Sequence, residues 1–130
     1  MQAVVFEEFG GPEVLRTQDV TEPHAGPGEV RVRVRAAGVN PIDFKIRRGW
    51  TQGFIDVTFP ATPGLEIAGV VDEVGEGAGF AIGDEVVGWS KTGAYAEHGW
   101  SATSYRSPPG ELGAGGQSAG RGRNSSACTG

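Results

Sequence analysis

Apolar and charged residues alternate most cleanly along residues 30–36, where Val30, Val32, Val34 and Ala36 interleave with Arg31, Arg33 and Arg35. A period of two, with one apolar and one cationic face, predicts a strand buried on one side and solvated on the other. The arginine row reads as that solvated face, with a phosphate-binding stripe as the alternative. Shorter β-rich runs predict strands at Ala3–Glu8, Val14–Val20, Asp84–Trp89 and Ala94–His98. Gly10-Gly11-Pro12 marks a turn, Thr21–Gly28 a loop, and Lys91–Gly93 the turn between the last two strands. Gly64–Gly75, apolar and flanked by glycine, reads as a buried strand. One helix is expected over Pro41–Arg48: Asn40 suits the N-cap, Pro41 the first helical position, Asp43 the positive end of the dipole and Gly49 the C′ position. Short strands, Gly/Pro turns and a single helix predict a mainly β fold, an antiparallel barrel or sandwich.

Composition bounds this picture. The chain has 130 residues, enough for one domain and too few for a cofactor domain beside a substrate domain. No run approaches the length of a membrane span, and Met1–Gly10, with Glu7 and Glu8, does not resemble a signal peptide. A cytoplasmic location without membrane contact is the resulting expectation. Cys128 is the single cysteine, which excludes an internal disulfide framework and a cysteine-rich zinc site. The composition then breaks near Gly99. Residues 1–98 hold 21 of the 22 Val, Ile and Leu residues and carry a net charge of −7; residues 99–130 keep only Leu112 and carry +2. A segment so poor in apolar residues offers little to offset the entropy of ordering it. Residues 1–98 are therefore expected to fold, and 99–130 to form a disordered Gly/Ser-rich tail. Arg106, Arg121 and Arg123 are too scattered for a nucleic-acid arm, so no nucleic-acid partner is expected.

Several chemistries are set aside by motif. Gly75-x-Gly77-x-Gly79 lacks the third glycine of a dinucleotide loop, since position 80 is Phe, and no helix follows; a reverse turn is expected there. There is no Walker A loop, no HExxH and no nucleophile elbow. His24 and His98 make no zinc quartet, so no metal site is expected.

Residues 1–98 nevertheless carry an ordered series of motifs. It runs Glu29–Val34 into Ala36-Ala37-Gly38-Val39-Asn40-Pro41-Ile42-Asp43, then Pro63–Val71 and Val74-Gly75-Glu76-Gly77, and closes with Gly83–Gly88 and Gly93-Ala94-Tyr95-Ala96-Glu97. This series resembles the N-terminal GroES-like domain of the medium-chain dehydrogenase/reductase superfamily, in its zinc-independent quinone-oxidoreductase branch. The resemblance implies a partly open antiparallel barrel with one short helix. Zinc-dependent relatives place a cysteine ligand at the position of Asn40 and a histidine ligand at that of Leu65. Asparagine is a poor Zn²⁺ ligand and leucine is none. The implied activity is hydride transfer from NADPH to a quinone or enone without Lewis-acid help, with the protein positioning the acceptor and excluding water.

The resemblance also implies roles. Asn40 stands at the mouth of the cleft as a catalytic and cofactor-binding residue, its amide orienting the nicotinamide or the substrate carbonyl; capping the helix is its other reading. Asp43 occupies a polar position that faces the cleft and the cofactor, though a first-turn acid suits any helix. Lys45 stands where several relatives have tyrosine, as a catalytic donor to a developing enolate or as a solvated helix lysine. Glu66 is expected to hydrogen-bond structurally.

The motif series ends at His98, whereas relatives continue into a Rossmann domain, which these 130 residues do not contain. A shifted reading frame near His98–Gly99, or a truncated gene, is the expectation drawn from that break. Three readings stay open: the substrate-side domain of an NADPH-dependent oxidoreductase, inactive by itself; a non-catalytic GroES-like binding module; and a non-functional fragment. The natural substrate, the oligomeric state and the preference for NADPH over NADH are not encoded here.

Overall fold

The computed structural model describes residues 1–90, 93–101 and 103–106. Its elements, in chain order, are β1 (Gln2–Val5), a 3₁₀ turn at Pro12–Val14, β2 (Arg16–Asp19), β3 (Val30–Ala37), α1 (Pro41–Arg47), β4 (Glu66–Val74), β5 (Glu85–Trp89), β6 (His98–Ser101) and β7 (Thr103–Arg106). β1 and β2 form a two-stranded sheet, and the remaining strands form a five-stranded sheet in the order β6-β3-β4-β5-β7. Every neighbouring pair is antiparallel and the larger sheet is open, as expected of a partly open barrel.

The core follows from the alternation in β3. Val30 and Val32 are buried and pack with Ile67 and Val71 of β4, Val86 of β5 and Ala94. Arg33 and Arg35 face solvent, but Arg31 does not. Its Nε donates to Asp72 Oδ1 at 2.8 Å, and its Nη1 lies 3.0 Å from Glu73 Oε2. His98 Nε2 lies 3.2 Å from Asp72 and His24 Nδ1 3.2 Å from Glu73, so both histidines of the chain join this ionic cluster. The first member of the arginine row is thus an internal clamp.

β3 and β4 approach closely at Gly69. An added Cβ there would lie 2.1 Å from the Arg33 carbonyl oxygen, and the register between the strands shifts just beyond, between Val34 and Ala36. A glycine at such an irregularity lets the backbones close where a side chain would hold them apart.

The last strand lies further along than its hydrophobicity suggests: β6 spans His98–Ser101 and not Ala94–His98. Its inward positions are Gly99 and Ser101, both buried, which carry no apolar signal. Residues 94–97 instead fasten the two sheets together. Tyr95 O accepts from Val4 N–H at 2.8 Å, Glu97 O accepts from Val34 N–H at 2.8 Å, and Ala96 bridges Ala3. The boundary expected at Gly99 therefore falls inside a strand, and backbone pairing continues in β7, which joins β5. Hydrogen bonds to existing sheet edges order these residues without the branched aliphatics a new core would need. Residues 107–130, the rest of the expected tail, lie outside the described residues, as do Lys91 and Thr92 of the expected turn.

Candidate functional site

The site is built at the start of α1, where the chain leaves the end of β3. Asn40 is extended, with φ −124° and ψ 153°, and Pro41 opens the helix. The Asp43 carboxylate reaches back so that its Oδ2 accepts from the Asn40 backbone N–H at 2.9 Å, the acidic half of a capping box. Asp43 is only 5% exposed. The same Oδ2 accepts from the Tyr95 hydroxyl at 3.0 Å, across 52 residues of sequence. Burial, followed by that hydrogen bond and the charge of Asp43, pushes the Tyr95 hydroxyl up to about 12, against a smaller opposing effect of Arg47. Two polar atoms are left over: Asp43 Oδ1 and Asn40 Nδ2 are buried and have no partner.

Tyr95 reaches Asp43 by passing over Gly64. An added Cβ at Gly64 would sit 2.7 Å from the tyrosine ring, and its φ of +94° is itself unsuited to other residues. Beside this pair opens a cleft of about 440 Å³. Asp43, Ser90 and Thr62 contribute polar surface, and Ile46, Ile55 and Leu65 apolar surface. Apolar walls with a few convergent polar groups are the usual makings of a small-molecule site.

The residues singled out by sequence divide accordingly. Asn40 and Asp43 come together at the helix start, and Asp43 lines the cleft. Lys45 is exposed on α1 and is not among the residues lining the cleft. Leu65 lines the cleft with hydrocarbon. The Glu66 carbonyl accepts from Gly38 N–H at 2.9 Å, a main-chain bond. The expected reverse turn closes where Ala78 N–H donates to Gly75 O at 3.2 Å, with Gly77 at φ +74° inside it. Tyr95 belongs to the site without having been marked for it, although it stands inside the Gly93–Glu97 motif.

Residues 26–121 match the alcohol dehydrogenase GroES-like domain family. The chain belongs to that family. The match runs past His98, so the family pattern does not stop where the recognised motifs stop. Among similar curated proteins is a quinone oxidoreductase of Lama guanicoe, 44% identical over 117 residues, covering 86% of this chain and 34% of the relative. The human quinone oxidoreductase is 41% identical over 113 residues, covering 83% and 34%. Among solved structures, Escherichia coli quinone oxidoreductase complexed with NADPH superposes with a TM-score of 0.76 at 32% identity, covering 83% of this chain and 33% of that one. The human synaptic vesicle membrane protein VAT-1 homolog-like protein gives 0.77 at 35% identity, covering 85% and 36%. The GroES-like chain described here thus spans about a third of the length of these relatives, and it falls in the quinone-oxidoreductase branch of the medium-chain dehydrogenases. Among its described residues, no helix is long and apolar enough to cross a membrane.

Proposed function

We propose that this GroES-like domain is the substrate side of an NADPH-dependent oxidoreductase that reduces quinones or enones without zinc. The observation that carries the proposal is the head of α1, where Asp43 lines a cleft walled by Leu65 and its carboxylate accepts from the backbone N–H of Asn40, whose side-chain amide is left buried without a partner. An unpaired buried N–H group costs free energy until it finds an acceptor, so Asn40 suits a carbonyl oxygen of the acceptor or of the nicotinamide. NADPH, when bound, supplies the hydride. Asn40 then orients the carbonyl and Asp43 holds Asn40. The walls formed by Ile46, Ile55 and Leu65 keep water from the reacting atoms. Zinc is left out of the proposal because the donor set does not suit it: Leu65 offers no lone pair and Asn40 is a weak ligand.

The similarity to NADPH-bound Escherichia coli quinone oxidoreductase supports the choice of cofactor. The 130 residues carry contacts for the nicotinamide end alone, without the Gly-rich strand–turn–helix that receives a pyrophosphate, so by themselves they are proposed to be inactive. The test is NADPH oxidation dependent on 9,10-phenanthrenequinone, by this domain joined to a relative's dinucleotide-binding domain. Activity that falls at least about 100-fold on Asn40→Ala supports the proposal. Activity indifferent to that change, or micromolar NADPH binding by the 130 residues alone, overturns the respective part.

A further inference from the structure

The geometry points to Tyr95 as a positioning residue that holds the Asn40 backbone, and with it the start of α1, in place through Asp43. The Tyr95 hydroxyl and the Asn40 backbone N–H converge on a single carboxylate oxygen, Asp43 Oδ2, at 3.0 and 2.9 Å. Asp43 is buried, and its other oxygen has no partner, so the orientation of the carboxylate is set by these two donors. Tyr95 is itself held on both sides. Its backbone N–H donates to Pro63 O at 3.1 Å and its carbonyl accepts from Val4 of β1. Its ring lies over Gly64, which has no Cβ to obstruct it.

The helix start is therefore referenced to the segment joining the two sheets. α1 has only seven residues and two turns, too short to define its own position. Removing the tyrosine hydroxyl leaves the buried carboxylate with one donor and frees it to rotate, and the Asn40 backbone moves with it. This assignment rests on the role proposed above for Asn40 in that it gives the positioning a purpose, but the coupling itself is measurable without any reaction. The charged groups facing the Tyr95 hydroxyl are Asp43 and Arg47, both on α1.

The experiment uses the 130-residue chain with asparagine labelled in ¹³C, which gives resonances from Asn40 and Asn124 only, and tyrosine labelled in ¹³C, which reports Tyr95 and Tyr105. In Tyr95→Phe the ring stays and the donor goes. The expected result is a displaced or broadened Asn40 carboxamide carbon, with Asn124 unmoved, and hydrogen exchange at the Asn40 backbone amide accelerated about threefold to tenfold. A role confined to packing lowers the melting temperature and leaves the Asn40 signals of the folded protein in place; that result overturns the assignment. Should Tyr95→Phe fail to fold, the chain carrying 3-fluorotyrosine keeps ring and hydroxyl and brings the ionisation to milder pH, where circular dichroism identifies the points at which the fold persists and an ionised tyrosine no longer donates. The Asn40 carbon then follows the Tyr95 transition if the two are coupled, and an Asn40 signal that stays flat through it refutes the coupling. Loss of quinone reduction in Asn40→Ala concerns the functional proposal alone, so the two fail separately.

Discussion

Gly69→Ala puts a single methyl group between the two central strands. Its Cβ would lie 2.1 Å from the Arg33 carbonyl oxygen and 2.9 Å from Val32 Cγ1. A carbon and a carbonyl oxygen rest at about 3.3 Å or more, so the strands must part by about 1.2 Å at this point. Their spacing is set by hydrogen bonds at about 4.8 Å, and a displacement of that size disables the nearest ladder bond. Overpacking of a rigid core costs about 1–3 kcal/mol and one lost bond about 1 kcal/mol, giving about 3 kcal/mol for the substitution. The assay is urea denaturation followed by tryptophan fluorescence. With a slope of about 2 kcal/mol per molar, the midpoint falls by about 1.5 M at unchanged slope. Gly77→Ala is the control, because Gly77 has a φ of +74° but open space around it. It isolates backbone strain, about 1–2 kcal/mol. If Gly69→Ala costs no more than Gly77→Ala, the close approach of β3 and β4 does not govern stability and the reasoning is refuted.

Three further outcomes are expected. Tyr95 has its folded value raised from 10.0 to about 12, so its contribution is fully present below pH 10 and is lost as pH rises through 12. Two pH units set an upper bound of about 2.7 kcal/mol, reduced to about 1 kcal/mol by solvent near the hydroxyl, and denaturation midpoints measured from pH 9 to 12.5 must fall more in the unaltered chain than in Tyr95→Phe. Val32→Ala removes two methyl groups' worth of packing at a fully buried position and should cost about 2–3 kcal/mol by the same urea assay; a loss below about 0.5 kcal/mol would mean that the core relaxes around it. Elemental analysis of the purified chain should find no stoichiometric zinc, and about one Zn²⁺ per chain would end the zinc-free proposal.

What was legible in the sequence was local. β3 announces itself because Val30, Val32 and Val34 turn aliphatic side chains inward at every second position, a pattern that breaks at the register shift before the exposed Ala36, and α1 because Asn40, Pro41 and Asp43 fall at adjacent capping positions. β6 is hard to see in the sequence because Gly99 and Ser101 fill its inward positions, and small residues leave no periodic trace however deeply they are buried. The Arg31 clamp is hidden for a different reason: an arginine between valines looks the same whether its partner is water or Asp72, 41 residues away. The pairing of Tyr95 with Asp43 was out of reach on the same ground. Each residue has a satisfactory local explanation, and only the fold reveals that they share an oxygen.

The strand order β6-β3-β4-β5-β7 also bears on how the chain is made. Both edge strands of the larger sheet come from the last described residues, so on the ribosome β3, β4 and β5 are complete while their outer neighbours are still unsynthesised. A nascent chain ending near residue 90 presents open edges on β3 and on β5, each ready to pair with another molecule. The small inward residues of β6, Gly99 and Ser101, acquire a second meaning in this light: a late strand whose inward face carries no apolar side chain can close the sheet without adding a further adhesive face to the growing polypeptide.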